Sequence, residues 1–121
     1  MIAKISATEN LRGALGYNFK KVEKGEASIL LAAELYQSND GNYTMEDVLA
    51  DMQALIPKKC RTKKTVFHCS LNPHPDEKLS DETLMQIAKE YMEALGYGKQ
   101  PYIVFKHNDI AREHIHIVSL R

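Results

Sequence analysis

The sequence predicts an α+β domain with a central, mainly antiparallel sheet of about five strands, helices packed on one face and the histidines of its last strands, a candidate metal site, on the open other face. Three observations carry that prediction. Strand-like and helical stretches follow one another in the order β-α-β-α-β-α-β-β. Each helical stretch shows a single apolar stripe, as a helix with one buried side must. The two clearest strands alternate apolar and polar residues, the pattern of a sheet buried on one side only.

Length and composition bound the rest. With 121 residues, the chain is long enough for one core and too short for two, so residues 1–121 are expected to form a single domain. Sixteen Lys and Arg balance sixteen Asp and Glu. Net charge therefore gives no support to a nucleic-acid partner, and any such case rests on local patches. Cys60 and Cys69 form no C-x-x-C pair, a usage that fits a reduced, cytoplasmic protein. No run approaches transmembrane length and no apolar signal core opens the chain, which predicts no membrane partner.

Taken in order, Met1 to Ser6 is apolar enough for a first strand. Ser6-x-x-Glu9 has the form of a capping box and predicts a helix from there. Its stripe is Leu11, Ala14, Leu15, Phe19 and Val22. Tyr17 falls well outside that stripe, beside Gly13 and Gly16, which leave room for another backbone to approach the phenol. An ordinary surface tyrosine would look the same. Lys20 to Glu26 is a charged connector, and the apolar run Ala27 to Leu35 predicts a buried strand. Tyr36 to Tyr43 is a loop by composition. Thr44 caps a second helix with Val48, Leu49, Met52, Leu55 and Ile56 as its stripe, ended by Pro57. Lys58, Lys59, Arg61, Lys63 and Lys64 crowd one short run, which serves either as a solvated linker or as a phosphate-contacting patch. Thr65 to Leu71 is a strand with Thr65, Phe67, Cys69 and Leu71 on one face and Val66, His68 and Ser70 on the other. Ser80 opens the best helix, with Leu84, Ile87, Ala88, Tyr91, Met92 and Leu95 at helical spacing. Gly96 and Gly98 close it. Helices 44–56 and 80–95 are expected to cover one sheet face above Phe67, Cys69, Ile115 and Ile117.

The end of the chain carries the chemistry. His114 and His116 are separated by one isoleucine, so on a strand they share a face while Ile115 and Ile117 take the other. Pro101 to His107 is a strand, and Asn108 to Glu113 reads as its turn, so a hairpin brings His107 beside the pair. Three imidazoles on one face can hold one metal ion through bonds of about 2.0–2.1 Å. Their ligand atoms are then expected within about 5 Å of one another. Half-exposed histidines with no ligand are the alternative, less favoured because three converge. Asp109 can orient a histidine ligand, and Lys106 and Arg112 flank the site where phosphate oxygens would lie. A metal held by imidazoles keeps open positions for a phosphodiester oxygen, and a tyrosine phenol can serve as nucleophile.

These motifs resemble a known family. His107-x-Asp109 followed by His114-Ile115-His116-Ile117-Val118 looks like the third motif of conjugative relaxases, the mobilization nucleases of the His-hydrophobic-His endonuclease class. Phe67-His68-Cys69-Ser70-Leu71-Asn72-Pro73, with Leu79-Ser80-Asp81-Glu82 and Leu95-Gly96-Tyr97, is similar to their second motif. Leu11-Arg12-Gly13-Ala14-Leu15-Gly16-Tyr17 resembles the first. The resemblance implies a relaxase-like sheet with a ferredoxin/RRM-like palm. It also implies site- and strand-specific nicking of single-stranded DNA at a transfer origin, with the 5′ phosphate left on a tyrosine. Carried over, Tyr17 is the nucleophile, and His107, His114 and His116 are the metal ligands. Asp109 orients, and Ser70 lies near the scissile phosphate. Mg or Mn is the metal implied by the resemblance, whereas imidazole ligation by itself favours Zn, Mn, Fe, Co or Ni. Accessory mobilization proteins are the further partner class. Members continue well past the third motif, so the chain is expected to be the N-terminal catalytic part of a longer protein. Two other classes share these features: replication initiators or single-strand transposases with the same histidine pair, and a non-catalytic DNA-binding module with a structural metal. The former usually place the tyrosine after the histidines, and no tyrosine follows Tyr102 here.

Overall fold

The computed structural model describes residues 2–8, 10–33, 44–54, 66–73, 79–97, 99–108 and 114–120. Among them the elements run β1 (Ile2–Thr8), α1 (Leu11–Glu23), β2 (Ala27–Ala33), α2 (Met45–Ala54), β3 (Val66–Asn72), α3 (Asp81–Ala94), β4 (Tyr102–His107) and β5 (His114–Leu120). The strands form one sheet in the order β1-β3-β5-β4-β2, and every neighbouring pair is antiparallel. The predicted α+β class, strand number and element order are all present.

Local chemistry explains most boundaries. Ser80 accepts the Thr83 backbone N–H and Thr44 accepts that of Asp47, so α3 and α2 start at their predicted caps. Ser6, expected to cap the first helix, lies within β1 instead. β1 continues through Thr8, and Asn10 caps α1 by accepting the Gly13 N–H at 2.9 Å. Pairing with β3 along its whole length holds those residues extended, and Asn is as good a cap as Ser. Gly13 is thereby explained, because a Cβ there would sit 2.3 Å from the Asn10 amide nitrogen. Gly16 faces Met45 of α2. The sequence suggests that these glycines admit another backbone toward the Tyr17 phenol; instead Gly13 meets the Asn10 cap, and among the described residues Gly16 faces only the Met45 side chain, at ordinary contact distance. Gly25 and Gly96 have φ of +74° and +83°, and each follows the last turn of its helix.

The helices divide between the two sheet faces, where one covered face was expected. Leu11, Leu15 and Phe19 of α1 join Val48, Leu49 and Met52 of α2 over Val66, Ile103, Phe105, Val118 and Leu120. On the opposite face, Leu84, Ala88 and Met92 of α3 cover Phe67, Cys69, Leu71, Val104, Ile115 and Ile117. Ile115, Ile117, Phe67 and Cys69 are buried as expected, but under α3 alone. The physical reason is the unbroken apolar stretch Tyr102–Phe105, which gives β4 two apolar faces and so demands cover on both. β2 also differs from its prediction: it lies at the sheet edge and is mostly half-buried, because it has one strand neighbour instead of two. Leu95 of the α3 stripe sits at the C-cap and is exposed. Leu55, Ile56, Thr65, Gly98 and the predicted loop 36–43 lie outside the described residues.

Candidate active site

The histidines lie where β4 ends and β5 begins. His107 and His114 are direct cross-strand partners, and His116 pairs with Phe105 on one side and Ser70 on the other. Paired residues share a sheet face, so the three rings converge. Ring centroids stand 4.0 Å apart for His107 and His116, 5.0 Å for His114 and His116, and 5.2 Å for His107 and His114. One ligand atom from each lies within 4.8 Å of the others, meeting the expected convergence. Bonds of about 2.0–2.1 Å to one ion bring ligand atoms to roughly 3.0–3.5 Å, so modest side-chain rotation closes the set. Three imidazoles, one buried and two half-buried, therefore fit a metal ion.

This face is not the open one expected: α1 and α2 pack on it because their apolar stripes cover Phe105, Ile103 and Val118, and α1 brings further groups to the cluster. Phe19 packs edge-on against Phe105 with centroids 5.2 Å apart, anchoring the helix across the sheet. Tyr17, 51% exposed, then lies beside the cluster, its ring centroid 6.2 Å from His107 and 6.3 Å from His116. Lys21 Nζ stands 5.8 Å from the Tyr17 ring centroid, and Tyr17, Lys20, Lys21 and Lys24 line a shallow cavity of about 200 Å³. Asn18, fully buried, places its Oδ1 2.7 Å from His107 Nε2. Its Nδ2 donates to the Ala14 carbonyl at 2.9 Å.

A second arm reaches the cluster from β3. His68 Nε2 lies 3.0 Å from His116 Nδ1, and burial pushes the His68 pKa below its ordinary value. Lys4, Ile5, Ser6, His68, Ser70 and His116 line a groove of about 140 Å³ running from the histidines to the edge strand β1. Ser70 lines this groove together with His116, with Asn72 Nδ2 donating to its Oγ at 3.3 Å.

Lys106 does not reach this site. It pairs with Ile115 on the α3 face, and its Nζ meets Asp81 Oδ1 at 2.6 Å. Adjacent strand residues point to opposite faces, so Lys106 lies across the sheet from His107 and does not flank the site as expected. Asp109, Arg112, Lys58, Lys59, Arg61, Lys63 and Lys64 lie outside the described residues, as do Tyr36 and Tyr43. Sequence reasoning missed Asn18, His68 and the Lys20–Lys21–Lys24 stripe, though each left a signal. Asn18 is a lone polar residue at i+4 from Ala14 and i+3 from Leu15, inside a buried stripe. His68 shares the polar strand face with Ser70. The lysines follow Tyr17 at i+3, i+4 and i+7, the near side of one helix.

No helix among the described residues is long and apolar enough to cross a membrane. No curated protein and no solved structure gives a significant match. The family described as "Relaxase: MobA/VirD2-like, nuclease domain" matches residues 17–121, from Tyr17 through the histidine hairpin. The chain therefore belongs to the MobA/VirD2-like relaxase nuclease domain family, a family of DNA-nicking domains of mobilization.

Proposed function

We propose that the chain nicks one DNA strand at a transfer origin by transesterification, with Tyr17 as nucleophile and His107, His114 and His116 as ligands of a divalent metal. The observation that supports this most is the approach of the exposed Tyr17 ring to within 6.3 Å of the His107 and His116 rings. When bound, the ion supplies Lewis-acid polarisation of a phosphate oxygen. The family resemblance favours Mg or Mn; of these two, imidazole ligands take Mn in preference to Mg, and Zn, Fe, Co and Ni are the other ions the donor set suits.

The chain's own residues do the rest. The Tyr17 phenol loses its proton and its oxygen attacks phosphorus, while the bond from phosphorus to the 3′ oxygen breaks and that oxygen takes up a proton. The 5′ phosphate remains on tyrosine, and one phosphodiester has been exchanged for another. The step is therefore reversible and needs no nucleotide cofactor. Lys20, Lys21 and Lys24 beside Tyr17 supply positive charge for the backbone of the attached strand. Ser70, in the groove leading away from His116, is a hydrogen-bond partner for a phosphate near the scissile one.

The test is a suicide oligonucleotide carrying the transfer-origin nick sequence, incubated with the protein and Mn²⁺. A covalent protein–DNA adduct is expected, abolished by a chelator, with the phosphate mapped to the Tyr17 peptide by mass spectrometry. Strand cleavage with no adduct would show hydrolysis by water and refute the tyrosine route.

A further inference from the structure

We propose that Asn18 is a positioning residue that selects which nitrogen of His107 faces the metal. The inference rests on the metal-site reading above and adds a residue to it. Asn18 and His107 are both fully buried, and Asn18 Oδ1 lies 2.7 Å from His107 Nε2. The orientation of the Asn18 amide follows from its other end. Nδ2 donates to the Ala14 carbonyl at 2.9 Å, and turning the amide over would set its oxygen against that carbonyl, acceptor against acceptor. Oδ1 must therefore point at His107.

An amide oxygen only accepts, so His107 Nε2 must carry the proton. In a neutral imidazole the other nitrogen, Nδ1, then holds the lone pair a metal needs. Nδ1 is itself buried, so the surrounding protein, more than bulk water, decides its tautomer. A chain of contacts thus runs from the Ala14 carbonyl through the Asn18 amide to the His107 ring. Because Asn18 adjoins Tyr17 on α1, the bond that orients the ligand also ties the tyrosine's helix to the histidine cluster.

Two readouts test this in the full chain. In metal-free protein, long-range ¹⁵N–¹H NMR of the imidazoles is expected to show His107 as the Nε2–H tautomer in the native chain. That preference is expected to be lost in Asn18→Leu, which keeps the size and removes the acceptor. Titration with Mn²⁺ is expected to show affinity lowered by about 10–100-fold in Asn18→Leu. Asn18→Asp, which keeps an acceptor oxygen, is expected to equal or exceed the native affinity. If Asn18→Leu does not fold by circular dichroism, Asn18→Ser, too short to span the contact, takes its place. An Nδ1–H tautomer in the native chain overturns the proposal, as does native-level Mn²⁺ affinity in the acceptor-less variant. A native chain that shows the Asn18-dependent Nε2–H tautomer and binds neither Mn²⁺ nor Zn²⁺ sinks the metal reading and leaves the tautomer role of Asn18 supported.

Discussion

Tyr17→Phe separates chemistry from packing more cleanly than any other substitution in this chain. It removes one oxygen and keeps the ring that lies about parallel to His107, at 25° between planes. The side chain is half-exposed, so loss of the hydroxyl is expected to change folding stability by no more than about 0.5 kcal/mol. For a domain of this length that corresponds to about 2 °C in Tm. Adduct formation, by contrast, is expected to vanish, because phenylalanine has no atom that can bond phosphorus. The assay is the suicide oligonucleotide in Mn²⁺, read on a denaturing gel beside a thermal melt of the same preparation. Tyr36→Phe and Tyr43→Phe, at the ends of a polar loop by composition, are expected to keep native adduct levels. Adduct at native level from Tyr17→Phe would place the nucleophile elsewhere. A fall in Tm above about 5 °C would show that the phenol oxygen is structural and that lost activity proves nothing.

Three further outcomes are expected. Saturating Mn²⁺ at about 100 times its Kd is expected to stabilise the native chain by about 2.7 kcal/mol, and His114→Ala, lacking one ligand, to lose most of that gain in a thermal-shift titration; an equal shift in both would exclude His114 as a ligand. Lys106→Ala is expected to leave adduct formation unchanged and to lower stability by under about 1 kcal/mol, since its pair with Asp81 is partly exposed; a large drop in DNA affinity would contradict its position on the α3 face. Burial pushes the Cys69 thiol above its ordinary 9.0 and, with the Cys69 contact, pushes Tyr91 from 10.0 up to about 12. Folding thus favours the neutral forms, so their contribution is whole below pH 9 and is lost as pH rises from the unfolded values through the folded ones, about 12 for Tyr91; urea unfolding from pH 9 upward is expected to show falling stability, less steeply in Cys69→Ala, and a flat profile would refute it.

Periodicity alone determined the element order, the α1 stripe and the caps at Thr44 and Ser80, because each depends on contacts within a few residues. The His114–His116 spacing likewise determined that both rings share a face, since strand alternation is a local property. The convergence of His107 was legible one step further out, through the short turn that makes a hairpin. Tertiary structure decided the rest. Whether α1 crosses the histidine face or the other depends on which sheet face competes for its stripe, and residues as distant in sequence as Leu15 and Val118 settle that together. That choice brings Tyr17 and Asn18 beside the histidines. Lys106 lies on the other face for a purely local reason, since one step along a strand from His107 reverses the side. His68 meets His116 only because β3 and β5, far apart in the chain, are neighbours in the sheet. Pairing energies between strands are nearly independent of sequence separation once the chain has closed, so no local pattern reports which strands will meet.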